Sequence, residues 1–191
     1  MKVVAFNGSP RANGNTTILV DEVLGRLDAA GIETEHLRVG GRALRGCTAC
    51  EKCWETRDLT CPPFDDGLDD YVARMVAADG IILASPVYYA DMTPELKALI
   101  DRSGSVTGAA GNPLRRKVGA AVAAVRRGGA VHTFDSINHF FQINEMIVVG
   151  SSYWNFGMGY EKGDVRNDEE GLATMRTLGD TMAWLLQKLH G

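Results

Sequence analysis

A short apolar run, Lys2-Val3-Val4-Ala5-Phe6, passes directly into Asn7-Gly8-Ser9-Pro10-Arg11-Ala12-Asn13-Gly14-Asn15-Thr16-Thr17, and this junction constrains the fold more than any other stretch. Beyond it, Ile18, Leu19, Val20, Val23, Leu24 and Leu27 keep the three-and-four spacing of an amphipathic helix. The pattern predicts strand, polar turn, helix. Free N–H groups at a helix start, the positive end of the helix dipole and Arg11 together suit a phosphate. The turn contains no Gly-Lys-Ser/Thr, no G-x-G-x-x-G and no cysteine nucleophile, so Walker, dinucleotide and phosphatase loops are excluded. What is left is a loop suited to hold a terminal phosphate monoester without attacking it. The plainer alternative, a βα turn with an Asn or Thr N-cap, needs fewer polar residues than this turn carries.

Periodicity along the rest of the chain alternates in the same way. A helix over 15–30 ends at Gly31, a suitable C′ residue, and an alternating outer strand follows over 32–39, with His36 on its polar side as a surface histidine. A helix is predicted over 65–79, then the continuous apolar run Ile81-Ile82-Leu83-Ala84, which suits a central parallel strand. Thr93-Pro94-Glu95 starts a helix with proline at N1 that ends near Arg102. The Gly-, Ser- and Arg-rich stretch 103–117 reads as a loop. A small apolar strand over 117–125, a helix over 132–143, a strand over 146–149, an irregular aromatic and Gly-rich segment over 151–168 and a helix over 169–189 complete the order. Strand–helix alternation of this kind implies an α/β fold, a flavodoxin-like three-layer sandwich with a five-stranded parallel sheet of order 2-1-3-4-5. Ligands of such sheets bind at the carboxyl ends of the strands, where the loops after strands one, three and four meet. The expected organisation is one domain over 1–191, with a cysteine-containing insertion at about 40–66.

The string GSPRANGNTT resembles the FMN-phosphate loop of the flavodoxin-like NADPH-dependent FMN reductases and iron–sulfur flavoproteins. SPVYYADMTPELKALIDR and RRGGAVHT resemble that family's second and third flavin loops, at suitable distances along the chain. The resemblance covers roughly residues 1–150 and implies FMN as cofactor. Ser9, Arg11, Asn13, Asn15, Thr16 and Thr17 are the expected phosphate ligands. Pro86, Val87, Tyr88 and Tyr89 would wrap the isoalloxazine and ribityl chain. Gly128 and Gly129 would let backbone approach the ring's polar edge, and Arg126 and Arg127 would place positive charge there, favouring the reduced anionic flavin. A solvated surface turn is the alternative for that arginine pair. No Ser/His/Asp constellation is present, so the flavin would carry the chemistry.

All cysteines lie within fifteen residues, as Cys47, Cys50, Cys53 and Cys61, followed by Pro62. A disulfide framework would spread them to staple distant elements. Three thiolates at two-residue spacing with a fourth further on suit a cubane better than zinc, which prefers separated pairs. The motif is similar to that of the iron–sulfur flavoproteins, implying a [4Fe–4S] cluster; the alternative is a thiol-rich surface loop, free or partly disulfide-bonded.

Net charge of −4 and a pI near 5.6 give no electrostatic case for nucleic acid or an anionic membrane. The first residues read as a strand rather than a signal peptide, and no apolar run reaches transmembrane length, so a cytoplasmic protein is expected. Three functions fit. The first is an FMN oxidoreductase or electron-transfer flavoprotein with a [4Fe–4S] cluster passing electrons to or from FMN. The second is a cluster-free NAD(P)H-dependent FMN or quinone reductase, and the third a non-enzymatic flavodoxin-type carrier. The partner would be a ferredoxin-like protein or a small electron acceptor. Asp65, Asp66, Asp69 and Asp70 offer a docking patch or, alternatively, a solvated helix start. The resemblance also implies a homodimer or homotetramer with the cysteine segment near a neighbour's flavin, and the segment 153–160 is a candidate contact surface or, alternatively, a lid over the site or a fold-back on the core.

Overall fold

The structure, a computed structural model, describes residues 1–191. Strands β1 (Lys2–Asn7), β2 (Glu33–Arg38), β3 (Gly80–Pro86), β4 (Val118–Val125) and β5 (Ile147–Val148) form a parallel sheet in the order β2-β1-β3-β4-β5. Helices α1 (Asn15–Ala29), α3 (Leu68–Ala77), α4 (Pro94–Ala109), α5 (Ala130–Ile143) and α6 (Glu169–His190) connect and cover them; a short α2 (Lys52–Thr56) lies in the cysteine segment.

The strand residues divide between two cores by simple alternation. Val3 and Ala5 of β1, Ile82 and Ala84 of β3, and Ala120 and Val122 of β4 pack under α1 and α6. Val4 and Phe6, Ile81 and Leu83, and Ala121 face α3, α4 and α5. Each such Leu, Ile or Phe contributes about 1.5–3 kcal/mol by leaving water, and these fully buried strands account for the unbroken apolar runs in the sequence. No helix is long and apolar enough to cross a membrane.

Two segments differ from the sequence-based expectation. The helix expected to end near Arg102 continues to Ala109. Ser103, Val106 and Thr107 are buried there, Thr107 Oγ1 donates to the Ser103 carbonyl at 2.7 Å, and Gly104 faces the Phe140 ring of α5. Packing overrides the poor helix propensity of the Ser/Gly run. The segment expected to be irregular contains β6 (Phe156–Met158), which pairs parallel with Ala123–Val125. β5 accompanies only Val118 and Gly119, so the fifth position of the sheet is built from two pieces with a detour between them.

Candidate functional site

Loop one leaves β1 at Asn7. The buried Asn7 amide oxygen accepts the Ser9 N–H at 2.9 Å, and its NH2 donates to Thr17 Oγ1 at 3.1 Å. Ser9 Oγ then accepts the Arg11 N–H at 3.2 Å, and α1 begins after Gly14, whose conformation is extended. The first-turn N–H groups of α1, which have no intrahelical partners, therefore stand over the same hollow as Ser9 and Arg11.

Loop two follows β3. Val87 N–H donates to the Ala124 carbonyl at 2.9 Å, and Tyr88 and Asp91 exchange backbone hydrogen bonds around a tight turn. Tyr89 and Ala90, the central residues, have φ of 48° and 65°, a left-handed pair that costs non-glycine residues about 1 kcal/mol or more each. Thr93 ties this loop to loop one by donating from Oγ1 to the Gly8 carbonyl at 2.9 Å.

The three loops enclose a cleft of about 150 Å³. Ser9, Arg11, Asn15 and Thr16 line it from loop one, Pro86, Val87 and Tyr88 from loop two, and Arg126 from loop three. Of the other sequence-derived candidates, Asn13 is exposed, and Thr17 is occupied by Asn7 and by its own bond to the Ala12 carbonyl. Asn15 reaches the cleft but is engaged: its amide donates to the Glu161 carbonyl and accepts from the Gly163 N–H. Tyr89 projects fully into solvent at the tip of its turn, and Arg127 and Gly128 are exposed beside the cleft rather than lining it. Gly129, at φ 90°, caps α5 and presses against loop two; a Cβ there would come within 2.8 Å of Ala90 Cα.

Gly159 and Tyr160, in the segment expected to be a contact surface or a lid and not named among the site residues, close the cleft's remaining side. β6 delivers them, with the Gly159 N–H bonded to the Val125 carbonyl, and the Tyr160 ring lies 4.2 Å from the Arg126 guanidinium carbon. The pairing of β6 with β4, together with the Asn15 bonds to Glu161 and Gly163, brings this distant segment to the cleft.

A second hollow, of about 220 Å³, is lined by all four cysteines together with Trp54, Phe64 and Arg102. Cys47 and Cys50 are exposed, and Cys53 and Cys61 partly buried. Burial, reinforced by the neighbouring Cys61, Cys47 and Cys50, pushes the Cys53 thiol above its ordinary range. The backbone between them is contorted: Ala49, Glu51, Arg57 and Leu59 all have positive φ, and the Ala49 N–H donates to Cys47 Sγ at 3.4 Å. No three His, Cys, Asp or Glu side chains converge closely enough to hold a single metal ion.

Arg102 of α4, 1% exposed, forms the floor of this hollow. Nε donates to Cys61 Sγ at 3.3 Å, Nη1 to Asp66 Oδ2 at 2.6 Å and to the Arg45 carbonyl at 3.2 Å. Burial works against ionisation of Asp66, but the Arg102 hydrogen bond and the Arg45 N–H outweigh it and hold the carboxyl below its usual range. Asp66 is thereby a largely buried partner within the fold, and the acidic run 65–70 is not one continuous exposed docking patch.

Sheet order, helix-start loop and three-loop cleft define a flavodoxin-like flavoprotein. A WrbA-like flavodoxin of Agrobacterium tumefaciens superposes with a TM-score of 0.67 at 17% identity, covering 98% of this chain and 97% of that one. RosB superposes with a TM-score of 0.75 at 16% identity, covering 99% of this chain and 80% of that one. The family model described as NADPH-dependent FMN reductase matches residues 1–161. An iron–sulfur flavoprotein of Methanocaldococcus jannaschii is 44% identical over 190 residues, covering 96% of each chain. The iron–sulfur flavoprotein of Methanosarcina thermophila is 34% identical over 192 residues, covering 100% of this chain and 96% of that one. The chain belongs to the NADPH-dependent FMN reductase family, on the side of its iron–sulfur flavoproteins, and is an FMN-dependent oxidoreductase.

Proposed function

We propose that this oxidoreductase holds FMN in the three-loop cleft and a [4Fe–4S] cluster on Cys47, Cys50, Cys53 and Cys61, and relays electrons between a donor such as NAD(P)H and a ferredoxin-like protein or small acceptor. The observation that carries the cluster reading is that all four cysteines line one hollow whose floor holds a buried cation. A tetrahedral zinc with bonds of about 2.3 Å draws its sulfurs within about 4 Å of one another. A cubane separates its corner thiolates more widely. The spacing of Cys47, Cys50 and Cys53, with Cys61 further along, suits the second arrangement. The buried Arg102 Nη2 has no protein partner, and an anionic group in the hollow would satisfy it.

When bound, FMN supplies exchange between two-electron and one-electron transfer, and an iron–sulfur cluster supplies one-electron transfer. The chain's part is to hold and orient. Ser9, Thr16 and the first-turn N–H groups of α1 would bind the phosphate, with Arg11 neutralising it. The 150 Å³ cleft accommodates the phosphate and the start of the ribityl chain. Tyr88 would support the ring, and Arg126, Arg127 and the Gly128–Gly129 backbone would face its polar edge; Asn15 would line the phosphate end while held by Glu161 and Gly163, and Asn13, Thr17 and Tyr89 would act from the margin.

The cysteine hollow and the cleft share no lining residue. α4 starts beside loop one at Thr93 and reaches Arg102 after about 13 Å of helix axis. Resemblance to the iron–sulfur flavoproteins supports a homodimer or homotetramer in which one chain's cysteines approach another chain's flavin. The exposed aromatics Tyr153, Trp154 and Tyr160 are the candidate contact surface.

An optical spectrum with an iron and sulfide assay on protein purified without oxygen tests the reading. Flavin bands with about four irons per chain support both centres. Flavin without iron leaves a cluster-free reductase, and absence of flavin overturns the assignment of the cleft.

A further inference from the structure

We propose that Arg102 sets the reduction potential of the cysteine-held centre, and that Asp66 counterweights it. The inference rests on the cluster reading above. Arg102 is a positioning residue: it reaches the centre through Cys61 and through an N–H that has no partner in the protein. Its guanidinium is fixed from three sides, by Asp66 Oδ2, by the Arg45 carbonyl and by the Phe64 ring, whose centroid lies 5.0 Å from Cζ. Nε then has one place to donate, Cys61 Sγ, and Nη2 is left buried without a protein acceptor while the residue lines the hollow.

Such a fixed, buried cation has a defined electrostatic consequence. Adding an electron to an iron–sulfur centre makes it more negative. A cation and N–H···S donors that cannot rotate away stabilise the reduced form and raise the potential. Asp66 acts in the opposite sense. Its carboxylate is held in the ionised form by the same Arg102 and by the Arg45 N–H, so it offsets part of the cation's field. The pair is therefore a dial with two directions, built from residues outside the cysteine motif. Other arginines nearby do not replace it: Arg45 stacks on Phe64 at 5.6 Å and contributes its backbone to the node, while Arg57 donates to the Trp54 carbonyl.

The two substitutions make predictions of opposite sign. Arg102→Gln should disfavour cluster reduction by about tenfold, a fall of about 59 mV for one electron. Asp66→Asn should favour it, raising the potential. Loss of a purely structural pair would instead perturb the hollow in the same way from either side. The measurement is a midpoint potential from an electron-paramagnetic-resonance-monitored titration of wild type, Arg102→Gln, Asp66→Asn and the double variant, each with its iron and sulfide content. The double variant removes both charges together, so no unpaired buried charge remains to unfold the segment, and its potential should lie below wild type because the N–H···S donor is lost. A wild type with four irons and unchanged potentials in the variants, or shifts of equal sign, overturns the role of Arg102. A wild type without iron overturns the cluster reading and this inference with it.

Discussion

The Asn7 side-chain NH2 lies 3.2 Å from His36 Nε2, joining the end of β1 to the edge strand β2. The orientation of that amide is dictated elsewhere: the Ser9 N–H can only donate, so the amide oxygen faces loop one and the NH2 faces His36. Nε2 therefore accepts, and Nδ1 carries the proton toward Asp21 Oδ1 at 2.9 Å. His36 is thus no idle surface histidine; it closes a chain of hydrogen bonds that ends in loop one.

Replacing Asn7 by Ala should remove the anchor for the Ser9 N–H and leave it without its partner, at a cost of about 1–3 kcal/mol in stability. FMN affinity, followed by quenching of flavin fluorescence, should fall by about tenfold or more. Unchanged affinity would mean that loop one holds its shape without β1's help.

Ser9 and Arg11 act on the phosphate directly in the proposed site. The double variant Ser9→Ala/Arg11→Ala should lose a charge-assisted contact worth about 1.5–3 kcal/mol, or roughly 10–100-fold in FMN affinity. Riboflavin, which lacks the phosphate, should bind the variant and wild type alike. Retention of full FMN affinity would remove the phosphate assignment.

Gly40 lies outside every flavin-like loop, yet its substitution should be among the most damaging. A Cβ there would fall 2.2 Å from the Ser9 carbonyl carbon and 2.3 Å from the Gly8 oxygen, both backbone atoms that cannot rotate away. Gly40→Ala should push loop one off its position, lowering the melting temperature by several degrees (about 1 kcal/mol shifts it by roughly 2–4 °C in a chain of this size) and weakening FMN binding. A variant with native melting and native affinity would show that the contact is softer than the geometry implies.

The Arg102–Asp66 pair gives stability a dependence on acid. Asp66 ionises more readily in the folded chain than in the unfolded one, so the stability it contributes is fully present above the ordinary carboxylate range, about 3.9. It is lost as pH falls through the lower folded value. Urea unfolding of the cluster-free chain should find Asp66→Asn less stable than wild type at neutral pH, with the gap closing in strong acid. A gap that persists unchanged in acid would place its origin elsewhere.

Replacing all four cysteines by serine should abolish iron binding but leave FMN affinity within about twofold, well under the 1.4 kcal/mol that tenfold represents. The two hollows share no residue, and α4 lines the cysteine hollow but not the cleft. Flavin binding titrated in the variant checks this; loss of FMN would show that the cysteine segment also supports the cleft.

The run from Lys2 to Leu27 determined much by itself, because an apolar strand, a polar turn and an amphipathic period are local properties that need no partner to be read. The same holds for the five strand positions and for the clustering of the cysteines. What the sequence left open depended on contacts between distant segments. Ser103 to Ala109 carries a loop's composition and is a helix because Val106 and Thr107 find a buried place against the sheet and α5. Phe156–Met158 is a strand because the second half of β4 offers it a free edge. That pairing carries Tyr160 to Arg126, across a separation that no periodicity encodes. Arg102 marked only an expected helix end, and tertiary packing buries it against Asp66, Phe64 and Cys61. Local pattern specified which elements form and which loops meet at the sheet's edge; tertiary packing decided which side chains are free to act there, since burial and hydrogen-bond partners are set by neighbours far away in the chain.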